Sequence, residues 1–186
     1  MSEKVLGIDP GLTRCGFGLI TKSASRQIKF LSVGVFQTPS SMEETQRISE
    51  VAKQVDDLLQ LEKPDQVAIE RVFSQQNLKS VISVAQISGA IVYLCLKRSI
   101  PVTFYTPTEV KAAVTGSGRA SKDQVNNMVV KLLKLKEAPR PADAADALAI
   151  AITAAWRGSQ SKTDAVETPA QRKWRIAEDA TKQRRR

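Results

Sequence analysis

The 186-residue chain contains no histidine. That excludes Ser-His and Cys-His catalytic pairs and any His-ligated zinc. It has two cysteines, Cys15 and Cys95, each among apolar or small neighbours. Two thiols build neither a disulfide framework nor a structural zinc site, and reduced thiols are the norm in the cytosol. No apolar run reaches the ~20 residues that a membrane-spanning helix needs. No basic leader with an apolar centre precedes the strand-like Val5-Leu6-Gly7-Ile8, so no secretory signal is read. A cytoplasmic protein without a membrane partner is expected. Its chemistry must come from carboxylates, lysines, hydroxyls or a bound hard metal.

What the chain has is positive charge. Lys and Arg number 28 against 19 Asp and Glu, a net charge of +9 and a pI near 9.8. Such a balance suits a polyanion, most simply nucleic acid. More than half of the excess sits at the end: from Arg157 onward there are nine basic and four acidic residues. Composition there turns to Ser, Thr, Gln, Lys, Arg and Glu. Residues 158–186 read as a mostly disordered basic tail. Residues 1–157 are long enough for one domain with a sizeable core.

Residues 4–9 read as a short buried strand ending in Asp9, with Pro10-Gly11 as a turn. Residues 14–21 read as a second strand. Gly16 and Gly18 alternate there with Cys15, Phe17 and Leu19, which leaves one face bare for a ligand or another backbone. Residues 27–37 alternate as a third strand, giving an antiparallel meander. A helix over about 42–61 carries the stripe Ile48, Val51, Val55, Leu58 and Leu59. A strand over 66–70 ends in Glu70, and a loop follows over 71–77. The helix over 78–97 is apolar on more than one stripe, so it is either deeply buried or covered by a second subunit. A fifth strand runs over 101–105. Pro107 suits an early helical position, and Ser121-Lys122-Asp123-Gln124 has capping-box form. A last helix extends to about Trp156. The order predicts an α/β fold: a mixed five-stranded sheet flanked by helices on both faces.

The acids are out of place. Asp9 and Glu70 end strands of buried type, where an ionised carboxylate is costly unless paired. Arg14, Arg71 or a lysine could pair them. Asp143 and Asp146 lie three apart, on one face of the first turns of the last helix. Helix capping and the macrodipole would account for those two alone. Four acids converging on one point would instead raise each other's pKa, and divalent cations resolve that conflict. Carboxylates without histidine favour Mg²⁺ or Mn²⁺. Two ions about 4 Å apart can activate water and stabilise a leaving oxygen in phosphodiester hydrolysis.

Three segments carry a resemblance: Gly7-Ile8-Asp9-Pro10-Gly11, Ala68-Ile69-Glu70-Arg71-Val72-Phe73, and 141–151 from Pro141-Ala142-Asp143-Ala144-Ala145-Asp146 onward. With Val110-Lys111-Ala112-Ala113 and Lys122-Asp123-Gln124-Val125, they resemble the RuvC family of Holliday junction resolvases over about residues 4–156. The resemblance implies a ribonuclease H-like fold. It implies a homodimer that resolves a four-way DNA junction by symmetric, metal-dependent nicks in two opposed strands, in recombination and repair. Asp9, Glu70, Asp143 and Asp146 are then the catalytic metal ligands, holding two Mg²⁺ per site, with Mn²⁺ able to substitute. Lys111 and Lys122 act near the scissile phosphate. Phe73 stacks on bases rather than packing in the core. Arg71, Lys79 and Arg119 are further phosphate contacts. The apolar helix with Gly89 and Ala90 forms the dimer, with Ile87 and Ile91 expected on its face. RuvA- and RuvB-type branch-migration proteins are the implied partners.

Other readings compete. The segment from Gly7 to Thr13 also resembles the first phosphate loop of actin-like kinases, which need two lobes that 186 residues cannot supply. A catalytically silent junction-binding module of the same fold would have no use for four acids. A ribonuclease H-like nuclease acting on another substrate, such as an RNA–DNA hybrid, stays open. The wide apolar helix favours a dimer, and a dimer favours a two-fold branched substrate.

Overall fold

The computed structural model describes residues 2–71 and 78–158, with side chains from residue 81 onward in the second segment. Its elements follow the predicted order: β1 (Glu3–Asp9), β2 (Arg14–Lys22), β3 (Ile28–Gln37), α1 (Glu44–Glu62), β4 (Gln66–Glu70), α2 (Leu78–Lys97), β5 (Val102–Tyr105), α3 (Pro107–Thr115), α4 (Lys122–Leu133) and α5 (Ala142–Arg157). The strands form one mixed sheet in the order β3-β2-β1-β4-β5. β1, β2 and β3 pair antiparallel, while β1–β4 and β4–β5 are parallel. Helices cover both faces, as expected. The resulting architecture is ribonuclease H-like.

The pleat sorts the side chains. Leu6 and Ile8 of β1, Leu19 of β2, and Val67 and Ile69 of β4 meet Val51, Val55 and Leu59 of α1 and Ile87 and Ile91 of α2. Val5, Ile20, Ala68 and Tyr105 face the other way, toward α3, α4 and α5. β1 is therefore apolar on both faces, as a central strand must be.

α5 occupies the middle of its layer. It is buried on nearly every side from Ala144 to Ala155, which explains its lack of a polar face. The bare stripe expected on β2 receives this helix's backbone. A Cβ on Gly16 would stand 2.1 Å from the Asp143 carbonyl oxygen, and one on Gly18 would stand 2.7 Å from the Leu148 nitrogen. Gly7, paired with Gly18 across the strands, would meet the Ala147 carbonyl oxygen at 2.2 Å. Glycine is the only residue that permits this approach, and the approach lowers the start of α5 onto the end of β1.

α2 is apolar on two stripes for two reasons. Ile87 and Ile91 are fully buried within the subunit, which corrects the expectation that they form a dimer face. The outward stripe is Ile82, Tyr93 and Leu96, exposed to 57%, 64% and 61%. Phe73 and the basic tail from residue 159 lie outside the described residues, as does the side chain of Lys79. No helix among the described residues is long and apolar enough to cross a membrane.

Candidate active site

The strand register places two of the acids. β1 and β4 run parallel with Gly7 beside Ala68 and Ile8 beside Ile69. Asp9 and Glu70 come one residue later, at the same end of the sheet and on the face that carries α5. Both follow from strands that stop in an acid at matched positions. α3, ended by Gly116 in a left-handed turn, and α4, opened by the Ser121–Gln124 capping box, deliver Lys111 and Lys122 to the same end.

Asp143 and Asp146 complete the group from the first turns of α5. The helix begins at Pro141 with no side-chain cap, so neither acid is spent on capping. Each meets a cation instead. Arg14 Nε lies 2.8 Å from Asp143 Oδ2, and Lys122 Nζ lies 2.7 Å from Asp146 Oδ2. The Arg14 contact is one of charge without hydrogen-bond alignment, because Asp143 Oδ2 is buried with no hydrogen-bond partner. Among the described residues neither Asp9 nor Glu70 forms a salt bridge. The expectation that Arg14 or Arg71 serves Asp9 or Glu70 therefore fails, since Arg14 reaches across to α5. Arg71 turns the other way, with its guanidinium 5.7 Å from the centre of the Phe104 ring.

The electrostatics follow. Burial, then the charges of Glu70, Asp146 and Asp143, push the Asp9 carboxyl up from 3.8 to about 7, against a lowering pull from Lys122. Burial and Asp146 also raise Glu70, while Lys122 and Lys111 oppose the rise. The Lys122 ammonium is held above its ordinary value, chiefly by its hydrogen bond to Asp146. These four acids thus exceed the positive charge that reaches them.

Among the described residues no three acids already stand as a finished coordination shell; Arg14 and Lys122 each hold one aside. The donor set nonetheless fits a hard divalent cation. Every candidate ligand is a carboxylate oxygen, and burial with the charges of Glu70, Asp146 and Asp143 pushes the Asp9 carboxyl up to about 7, a conflict that a bound cation would relieve.

A cleft of 210 Å³ opens beside the acids, lined by Glu70, Lys111, Lys122 and Asp146 with Pro107 and Val125. A larger one of 430 Å³ runs between β4, β5 and α2, but of the four acids it shares only Glu70. Arg119 is exposed in the α3–α4 turn, its backbone N–H 3.3 Å from Ser117 Oγ. The structure thus gathers Asp9, Glu70, Asp143, Asp146, Lys111 and Lys122. Among the described residues neither Arg71 nor Arg119 forms a salt bridge with any of the four acids. Sequence reasoning named Arg14 for the wrong partner. Nothing local in the sequence marks its reach to Asp143, which exists only once α5 lies on β2.

A family model described as crossover junction endodeoxyribonuclease RuvC matches residues 5–154. The chain is 50% identical to the crossover junction endodeoxyribonuclease RuvC of Renibacterium salmoninarum over 177 residues, which cover 94% of this chain and 92% of that one. It is 46% identical to that of Paenarthrobacter aurescens over the full length of both. Among solved structures, Thermus thermophilus RuvC in complex with Holliday junction substrate superposes with a TM-score of 0.79 at 35% identity, over 83% of this chain and 94% of that one.

Proposed function

The chain belongs to the RuvC family of crossover junction endodeoxyribonucleases, and from that premise we propose that Asp9, Glu70, Asp143 and Asp146 form its catalytic centre. It is a divalent-metal nuclease that resolves Holliday junctions in recombination and repair. The observation that carries the site is the convergence of four carboxylates from two parallel strand ends and one helix start, with burial and the other three acids pushing the Asp9 carboxyl up to about 7.

On this reading the four acids hold two Mg²⁺ ions. Bound metal would supply an activated water and charge stabilisation for the leaving 3′ oxygen. The chain's own residues do the rest. Asp9 and Glu70 are set by the parallel register and cannot drift apart without breaking β1–β4 pairing. Lys122 holds Asp146 and, at the first turn of α4, presents an ammonium where a scissile phosphate would approach. Lys111 shares the 210 Å³ cleft and adds positive charge beside Glu70. Phe73 stacks on bases at the junction, and Arg71, Lys79 and Arg119 meet phosphates farther out.

The active form is a homodimer joined through the outward stripe of α2. Ile82, Tyr93 and Leu96 form an apolar face that one subunit leaves in water. The protein works in the cytoplasm beside RuvA- and RuvB-type branch-migration proteins.

The test is cleavage of a labelled synthetic four-way junction in Mg²⁺ and in EDTA, beside a linear duplex and an RNA–DNA hybrid. Paired symmetric nicks on the junction in Mg²⁺ alone are expected. Binding without cutting in Mg²⁺ and Mn²⁺ would overturn the catalytic reading, and preference for the hybrid would overturn the substrate.

A further inference from the structure

The loop Pro10–Thr13 has a site residue at each end: Asp9 closes β1, and Arg14, which holds Asp143, opens β2. Both ends lie in ladders, Asp9 opposite Gly16 and Arg14 opposite Gln37, but Pro10–Thr13 between them pairs with no strand. Other bonds hold it. Thr38, buried at the end of β3, donates from Oγ1 to the Leu12 carbonyl at 2.6 Å. Its backbone N–H donates to the Thr13 carbonyl at 3.2 Å. Arg47 of α1 then ties both partners together, with Nε donating to Thr38 Oγ1 at 3.0 Å and Nη2 to Thr13 Oγ1 at 2.7 Å.

Arg47 is an unusual clip. Among the described residues it has no salt bridge, although Glu43 and Glu44 precede it on the same helix. Glu43 is engaged by Thr45 and Gln46, and Glu44 accepts from Ser83 of α2. The guanidinium spends its donors on neutral threonine oxygens of the site loop. It also lines a cleft of 420 Å³ with Thr13, Ser40 and Glu44, so its other donors are not packed away. Planar, multiply donating Arg suits such a double hold, and Lys would supply a single point.

We propose that Arg47, acting through Thr38 and Thr13, is a positioning residue that holds the Pro10–Thr13 loop between Asp9 and Arg14 and so tunes the affinity of the carboxylate cluster for its divalent cation. The proposal rests on the catalytic reading above. Residues that orient metal ligands from outside the coordination shell typically cost about 10–100-fold in affinity or activity when removed. Here the loop is the intermediary: Pro10–Thr13 has no ladder of its own, and it joins the strand ends that carry Asp9 and the Arg14 that holds Asp143.

The experiment uses the full chain and Mn²⁺ as probe. Binding of Mn²⁺ to DNA-free protein is followed by electron paramagnetic resonance for the parent, Arg47→Met, Arg47→Lys, Thr38→Val and the Arg47→Met/Thr38→Val double variant. Thermal unfolding, junction affinity and single-turnover cleavage at saturating Mn²⁺ are measured alongside. Arg47→Met is expected to weaken Mn²⁺ about tenfold, with junction affinity within about twofold. Arg47→Lys should recover part of the loss. The double variant should lose less than the sum of its parts, because both act on one loop. Unchanged Mn²⁺ affinity in a folded Arg47→Met or Thr38→Val would overturn the proposal and leave the clip structural. Weakened junction binding with unchanged Mn²⁺ affinity would overturn it in favour of a phosphate contact. Asp9→Asn serves as the control: Mn²⁺ binding that survives it would sink the catalytic reading itself, whatever Arg47 does.

Discussion

Lys122 Nζ reaches Asp146 Oδ2 at 2.7 Å, tying the first turn of α4 to the first turns of α5. The pair is partly exposed, with 57% of the lysine side chain in solvent, so it adds little to stability. Under the proposed function its weight falls on catalysis instead. Lys122→Met should leave the melting temperature within a few degrees and slow junction cleavage about 10²-fold or more, the usual scale for losing a positioned proton donor or charge. Quench-flow cleavage beside a gel-shift titration will separate the two. An equal loss of binding would make Lys122 a simple docking contact.

Asp9→Asn and Glu70→Gln keep shape and remove charge. Both should abolish cutting and leave junction affinity nearly intact, since what is lost is metal rather than DNA contact. Undiminished cleavage by either variant would remove that residue from the centre.

The raised Asp9 carboxyl makes stability depend on pH. In the unfolded chain it loses its proton near 3.8, and in the folded protein near 7. Between these values the folded state holds the extra proton, so stability is full below 3.8 and falls as pH rises toward 7. The loss has a ceiling of roughly 4 kcal/mol, at 1.36 kcal/mol per pKa unit. Glu70, shifted the same way, adds to the slope. Melting of metal-free protein should therefore drop as pH rises from about 4 to about 7 and level off above, and the drop should shrink in Asp9→Asn. Added Mg²⁺ should raise the melting temperature more at pH 8 than at pH 5, because metal and proton compete for the same oxygens. A flat profile in the metal-free parent would refute the burial argument.

Gly16→Ala tests how α5 is seated. The added methyl would sit 2.1 Å from the Asp143 carbonyl oxygen, which is backbone and cannot swing aside. Overpacking of this kind costs about 1–3 kcal/mol. Here it should also lift Asp143 from Asp9, so metal affinity should fall along with the melting temperature. A stability loss with parental Mn²⁺ binding would show that the helix start does not depend on this glycine.

Leu96→Glu places a charge on the outward stripe of α2. It should halve the mass measured by analytical ultracentrifugation and leave circular dichroism unchanged. The parental mass would reject this face as the interface.

The sequence was legible where local rules decide. The strand ends at Asp9 and Glu70, the early helical position of Pro107, the capping box at Ser121 and the glycine stripe on β2 all stood as read, because each depends on its nearest neighbours in the chain. α2 was harder. Its sequence is apolar on two stripes, and periodicity alone cannot say which stripe turns inward; Ser83, Ile87, Ile91 and Cys95 do, which leaves Tyr93 and Leu96 outside. Arg14 and Arg47 were illegible as site residues for a similar reason. Their partners, Asp143 and Thr13, lie 129 and 34 positions away, and only the packed sheet brings them together.

The late position of α5 also bears on how the protein is made. A growing chain that has emerged through β5 carries Asp9 and Glu70 but neither Asp143 nor Asp146. One face of its sheet, with the glycine stripe, is still waiting for the helix that will cover it. Synthesis thus builds in a delay: half of the acids arrive with the last described helix, in the same step that closes the core. An unfinished copy of this nuclease would have no complete site with which to nick the chromosome.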